Sequence, residues 1–338
     1  MRRNTAPSGR SGHRKGGSRA PDVEEDMKKF LMAGAVALMG TTAMAGDIGV
    51  SISAFDDNWL TVLRNGLQTY AESKGQAVQI EDAKNDVAAQ LDQIKNFIAS
   101  GVSAIVVNPV DTSATQAMSD AAAAAGIPLV FVNREPINVD ALPDNQAFVG
   151  SNELDSGTLE TKEVCRLLKA AGKTEASVYV LMGRLSVQAA VLRTKDVHDV
   201  IGGPDCGVKI TIIDEQTANW SRDEAQNLMT NWLSTGTAFD AVISNNDDMA
   251  IGAIQALKAG GVDMKVMIVG GVDASQDALA AMQAGDLDVT VFQDAVGQGK
   301  GALDAAITLA AGGKVEKKVN IPFQLVTPAN IGDFLKKN

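Results

Sequence analysis

The segment Ile48-Gly49-Val50-Ser51-Ile52-Ser53-Ala54-Phe55-Asp56-Asp57-Asn58-Trp59 passes, within twelve residues, from a strand pattern to a helix start. An apolar run ends in a tight cluster of acidic, amide and aromatic residues, and a helical period follows. The same arrangement recurs along the chain. Leu129–Val132 runs into Asn133-Arg134-Glu135, and Ala241–Ser244 into Asn245-Asn246-Asp247-Asp248. Val266–Gly270 leads to Asp273, and Val289–Phe292 to Gln293. Ligands of open parallel α/β sheets bind outside the carboxyl ends of the strands. The repetition therefore gathers hydrogen-bonding groups and indole rings at that edge, twice over.

Working outward, strands are expected at 47–53, 76–81, 103–107 and 128–132, separated by helices at 58–74, 86–101 and 112–126. Gly75, Gly101 and Gly126 stand where left-handed caps would end those helices. Helices of this length between short apolar strands imply right-handed parallel crossovers and a doubly wound sheet. Residues 135–150 are less regular and contain Pro136 and Pro143. A second series follows, with helices at 154–171, 188–201, 221–235, 247–259, 275–284 and 295–312. Its strands are expected at 176–182, 208–214, 240–244, 266–270 and 287–293, with a last one near 320–326. Two series of similar size separated by an irregular joint predict an α/β protein of two lobes.

The first 45 residues are read as processing sequence. Residues 1–26 are rich in Arg, Gly and Ser and form an extension or upstream sequence. Met27 then opens a secretory pattern: Lys28-Lys29, the apolar stretch Phe30–Met39, and Ala43-Met44-Ala45. A basic start, a short apolar centre and an Ala-x-Ala site make residues 27–45 a signal peptide cleaved near Ala45, and the mature chain an exported protein. Taking the eight basic and four acidic residues of 1–45 from the chain's 30 and 41 leaves 22 against 37, a net charge of −15. Such a surface argues against nucleic acid or an anionic membrane as a partner. The only cysteines, Cys165 and Cys206, could pair after export, although sequence does not say whether they meet. With a single histidine after residue 45, His198, no metal site is expected.

Each candidate at a strand end has a plain structural reading beside a functional one. Trp59 could staple the start of its helix under an Asp56 or Asp57 N-cap, or stack on the C–H face of a polyhydroxylated ligand. Trp220, in Thr217-Ala218-Asn219-Trp220-Ser221-Arg222, sits at a similar junction, whereas Trp232 falls within a helix and reads as core. Arg134 and Arg193 carry planar, multi-donor groups suited to vicinal hydroxyls, yet Arg193 by itself reads first as a solvated helix charge. Asn246, Asp247 and Asp248 could simply cap a helix. Catalytic motifs are scarce: there is no Gly-x-Ser-x-Gly elbow and no His-Glu-x-x-His. Gly172-Lys173-Thr174 has Leu167 where a phosphate loop needs Gly.

On three segments the chain resembles the periplasmic sugar-binding proteins of ABC importers, of the ribose, galactose and inositol type: Val107-Asn108-Pro109-Val110-Asp111, Phe131-Val132-Asn133-Arg134, and Ser244 through Ala253. Phe55-Asp56-Asp57-Asn58-Trp59-Leu60, Asn133-Arg134-Glu135-Pro136 and Glu215 through Asp223 make it most similar to inositol- and rhizopine-binding members. The resemblance spans roughly residues 47–330. It implies a type I periplasmic binding protein, with two doubly wound parallel-sheet lobes and a hinge of three crossings near Ser151, Asp294 and Val326. Residues 46–150 with 294–326 would form the first lobe, and 151–293 with 327–338 the second lobe and tail. The implied ligand set is Ser53, Asp57, Trp59, Asn133, Arg134, Arg193, Trp220, Asn246, Asp273 and Gln293. Asn133-Arg134 departs from the acidic-Arg pair of ribose binders, and Gly271-Val272 precede Asp273 where one residue is more usual. The expected protein is a monomeric, non-enzymatic receptor without cofactor. It would bind a small neutral polyol, myo-inositol or a monosaccharide, and deliver it to a membrane permease, with a chemoreceptor as a further partner. The competing reading is a secreted carbohydrate-active enzyme.

Overall fold

In the computed structural model, residues 46–337 are described; the expected signal peptide and the expected extension before it lie outside them. Chain order in the first half alternates as far as β4, and β5 then follows without an intervening α-helix: β1 (Ile48–Ile52), α1 (Asn58–Lys74), β2 (Val78–Asp82), α2 (Val87–Ser100), β3 (Ala104–Val107), α3 (Thr115–Ala125), β4 (Leu129–Val132) and β5 (Gln146–Gly150). The caps fall where expected, because Gly75, Gly101 and Gly126 take φ values of 66°, 74° and 70° and close α1, α2 and α3. The second half contains α4 (Glu153–Ala170), β6 (Glu175–Met182), α5 (Gln188–Gly202), β7 (Lys209–Thr217), α6 (Arg222–Ser234) and β8 (Ala241–Ser244). It continues through α7 (Asp247–Ala259), β9 (Ile268–Gly270), α8 (Gln276–Ala284), β10 (Thr290–Phe292) and α9 (Ala295–Ala310) to β11 (Lys318–Asn320) and β12 (Gln324–Val326).

Two parallel sheets result. The first runs β11-β5-β4-β3-β1-β2 and the second β7-β6-β8-β9. Strands β1, β3, β4 and β5 are buried along their whole length, as strands covered by helices on both faces must be. On one face Ile48, Val50 and Ile52 pack with Leu60, Leu63 and Leu67 of α1 and with Leu303 of α9. On the other face Ile94 and Phe97 of α2 and Met118 of α3 cover Ile105, Val107 and Phe131. The second sheet is enclosed likewise, by α6, α7 and α8 on one side and by α4 and α5 on the other. Trp232 belongs to this core: its ring stacks on Tyr179 at 4.4 Å between centroids, and its N–H donates to Asp214 at 2.9 Å. Cys165 and Cys206 meet as a disulfide, tying α4 to the turn before β7.

The chain crosses between lobes between β5 and α4, between β10 and α9, and between β11 and β12. The last crossing differs from the expectation. One strand near 320–326 is in fact two, because Pro322 lacks the N–H that a continuing ladder requires. β11 pairs with β5 of the first sheet, whereas β12 pairs antiparallel with β10. Val326 and Phe334 then pack into the second lobe's core. The first lobe therefore ends near residue 321, not 326. Among the described residues no helix is long and apolar enough to cross a membrane.

Candidate functional site

The carboxyl ends of the two sheets face each other across a cavity of about 40 Å³. One water needs roughly 10–15 Å³, so the space is small and has no room for an oligomer.

From the first lobe, Asp57 caps α1 by accepting the Leu60 N–H at 2.8 Å, which sets Trp59 in the first helical turn. The Trp59 ring is buried against the cavity, and its N–H donates to the Gln293 carbonyl at 3.1 Å. Asp57 and Trp59 thus start the helix and also line the space. Beside them Asn133 takes a left-handed φ of 67°. Its Oδ1 accepts from Asn108 Nδ2 at 3.2 Å. Arg134 folds inward, and Nη1 donates to the Pro109 carbonyl at 2.7 Å. Burial pushes the Arg134 guanidinium down to about 10 despite the nearby Asp57 carboxylate. Desolvation likewise lifts the Asp57 carboxyl, against the Leu60 N–H and Arg134.

The second lobe contributes Arg193 from α5, Asn246 at the start of α7, and the loop residues Trp220, Asp273 and Gln293. Arg193 is only 3% exposed, so the solvated-charge reading fails. Its Nε donates to Glu153 at 2.7 Å, Nη1 to the Asn245 carbonyl at 2.7 Å, and Nη2 to Gln293 Oε1 at 3.4 Å. Asn246 both caps α7, accepting the Met249 N–H at 3.0 Å, and lines the cavity. Trp220 sits at φ 69° and packs its indole on Gly183, where any Cβ would come within 2.1 Å of the ring. The Arg193 guanidinium lies 5.7 Å from the Trp220 ring and the same distance from Phe323. Burial raises the Asp273 carboxyl well above its ordinary range, with Arg193 opposing and Asp247 adding to the rise.

Nine of the ten expected residues converge on one space. The exception is Ser53, which lies behind it: its hydroxyl donates to Asn108 Oδ1 at 2.6 Å and so steadies the amide that holds Asn133. Glu153, at the first position of α4, lines the cavity and was not foreseen. Two signals were available: its place directly after the first crossing, and the need of a buried Arg193 for a counter-charge. With Glu153 the cavity is lined by three carboxyls and two guanidinium groups. Asn133, Trp220 and Asp273 all take positive φ, the last at 128°. Such conformations cost non-glycine residues of order 1–3 kcal/mol and gather at functional sites.

The lobes also touch outside the cavity. Asn58 Nδ2 donates to Asp248 at 3.0 Å, and the Thr112 N–H to the Ser186 carbonyl at 3.2 Å. The cleft is closed.

Residues 48–314 match the family model for the periplasmic binding protein domain. The chain belongs to this family. This periplasmic binding protein is 60% identical over 314 residues to a Rhizobium meliloti protein described as a "Putative rhizopine-binding protein", covering 92% of this chain and all of the relative. Among solved structures it is similar to an ABC transporter solute-binding protein from Bacillus halodurans with bound myo-inositol: TM-score 0.80, 39% identity, 87% of this chain and 98% of the other. It also resembles the Caulobacter myo-inositol-binding protein, with TM-score 0.77, 27% identity, and 86% and 96% covered.

Proposed function

We propose that this protein is the receptor of an ABC importer and binds a cyclitol, myo-inositol or rhizopine, between its lobes. One observation carries the reading: Trp59, Trp220, two buried arginines and a set of carboxyl and amide groups line a single small cavity. A polyol hydroxyl both donates and accepts, and each one left unpaired on burial costs about 1–3 kcal/mol. Arg134 and Arg193 supply donors, Asp57 and Asp273 acceptors, and Asn133, Asn246 and Gln293 both. The indoles cover apolar ring faces with little entropy to lose. The relatives' ligands support the same class. Ser53 acts through Asn108 rather than on the ligand.

Ligand capture works by hinge closure, because contacts to both lobes exist together only when the cleft is shut. The permease would then engage the closed form. We propose further that the receptor is exported to the periplasm, acts as a monomer and leaves its ligand chemically unchanged. Calorimetry on protein freed of co-purifying ligand should show heat with myo-inositol or rhizopine, and much weaker heat with ribose, galactose and xylose. Silence with every cyclitol refutes the ligand assignment. Mass analysis of ligand recovered after prolonged incubation should return it intact, and a converted product would restore the enzymatic reading.

A further inference from the structure

Glu153 opens α4 just after the chain first crosses between lobes, and its side chain is 6% exposed. The two carboxylate oxygens are used unequally. Oε2 accepts the Arg193 Nε–H at 2.7 Å and the Ser156 hydroxyl at 3.4 Å. Among the described residues none donates to Oε1, although the side chain lines the cavity. An acceptor kept this far from bulk solvent must find a donor in the cavity or forfeit about 1–3 kcal/mol. Arg193 has five donor hydrogens, and the bonds to Glu153, Asn245 and Gln293 take three of them. Glu153 and Arg193 both belong to the second lobe, so the pair stands ready before the cleft shuts. It offers an ionised acceptor beside spare charged donors, and hydrogen bonds to ionised groups are the strong ones.

We infer that Glu153 is itself a ligand-binding, specificity-determining residue: its Oε1 accepts the proton of one ring hydroxyl while Arg193 donates to the oxygen of that hydroxyl or its neighbour. This rests on the cyclitol reading above and sharpens it, since the pair selects ligands carrying a free, proton-bearing hydroxyl at that ring position. A carboxylate cannot donate, so a ring lacking that hydroxyl leaves Oε1 unsatisfied. Sites built to hydrogen-bond a group discriminate strongly against analogues without it.

The test is a cycle between protein and ligand. Glu153→Gln keeps the shape and an oxygen for Arg193 Nε, but turns an amide N–H towards the cavity. Wild-type protein and E153Q are titrated by calorimetry with myo-inositol and with the deoxy-inositols that each lack one hydroxyl. The expected result is that wild type loses at least tenfold in affinity for one deoxy isomer. E153Q should lose at least tenfold for myo-inositol and cease to distinguish it from that isomer. Equal weakening for every ligand would mean that Glu153 only positions Arg193, and unchanged affinity would mean no role; either overturns the inference. Wild-type protein that binds no cyclitol refutes the underlying functional reading, a result separate from any behaviour of E153Q. Should E153Q lose its native circular dichroism, a crystal structure of the wild-type complex with myo-inositol decides. A ring hydroxyl within about 3.2 Å of Oε1 supports the inference, and a water there in place of the ligand overturns it.

Discussion

Gly183 follows β6 and supports the indole of Trp220. A Cβ at this position would lie 2.1 Å from two ring carbons of Trp220 and 2.4 Å from a third. Carbon atoms pack at about 3.5–4.0 Å, so the ring of a Gly183→Ala protein must move by roughly 1.5 Å. Trp220 is held at its backbone by a left-handed φ of 69° and at its other side by Arg193 and the cavity. The glycine does not take a positive φ, so alanine brings no backbone strain there. Overpacking of this kind costs typically 1–3 kcal/mol. If the indole yields towards the cavity, that cost falls on the ligand, an affinity loss of about 5- to 150-fold. Calorimetry with myo-inositol or the best-bound cyclitol measures it, and thermal unfolding of the ligand-free protein measures the part borne by the fold. Affinity within twofold of wild type, with an unchanged Tm, would show that Trp220 is not wedged between Gly183 and the ligand.

Further outcomes follow from the same structure. Trp59→Ala should weaken ligand binding at least tenfold, whereas Trp232→Ala, which removes a stacked core ring, should leave affinity within about threefold and cost about 3–5 kcal/mol of stability by denaturant unfolding. Burial pushes the Glu160 carboxyl up to about 8 against the opposing Ser244 N–H and Arg193. The folded protein thus keeps a proton that the unfolded chain releases, and this contribution is complete below about 4.5 and lost as pH rises through about 8. Tm should therefore fall between pH 5 and pH 8.5, and Glu160→Gln should flatten that slope; an unaltered slope would assign it elsewhere, Asp196 and Asp247 being pushed up to about 7. Removing the Cys165–Cys206 bond, which closes a loop of 41 residues, should cost about 4 kcal/mol by loop entropy without altering affinity, checked by unfolding Cys165→Ala/Cys206→Ala beside wild type.

Local pattern alone determined much of this protein. Strand-to-helix junctions, glycine caps and the polar clusters after β1, β4, β8 and β9 were legible because each depends on residues adjacent in the chain. Arg134, Trp59 and Asn246 were found for that reason: strand ends of a doubly wound sheet share one edge. Tertiary structure decided what depends on distant partners. Ser53 retreats behind the cavity because Asn108, more than fifty residues away, takes its hydroxyl. Arg193 changes from a plausible surface charge to a buried donor because Glu153, Asn245 and Gln293 converge on it from three separate segments. Cys165 and Cys206 had no visible reason to meet until α4 and the turn before β7 packed together. The strand near residue 320 divides between sheets because β5 and β10, unrelated in sequence, each claim one half of it. Periodicity tells a residue which face of its own element it occupies; only packing tells it which charge or hydroxyl stands opposite.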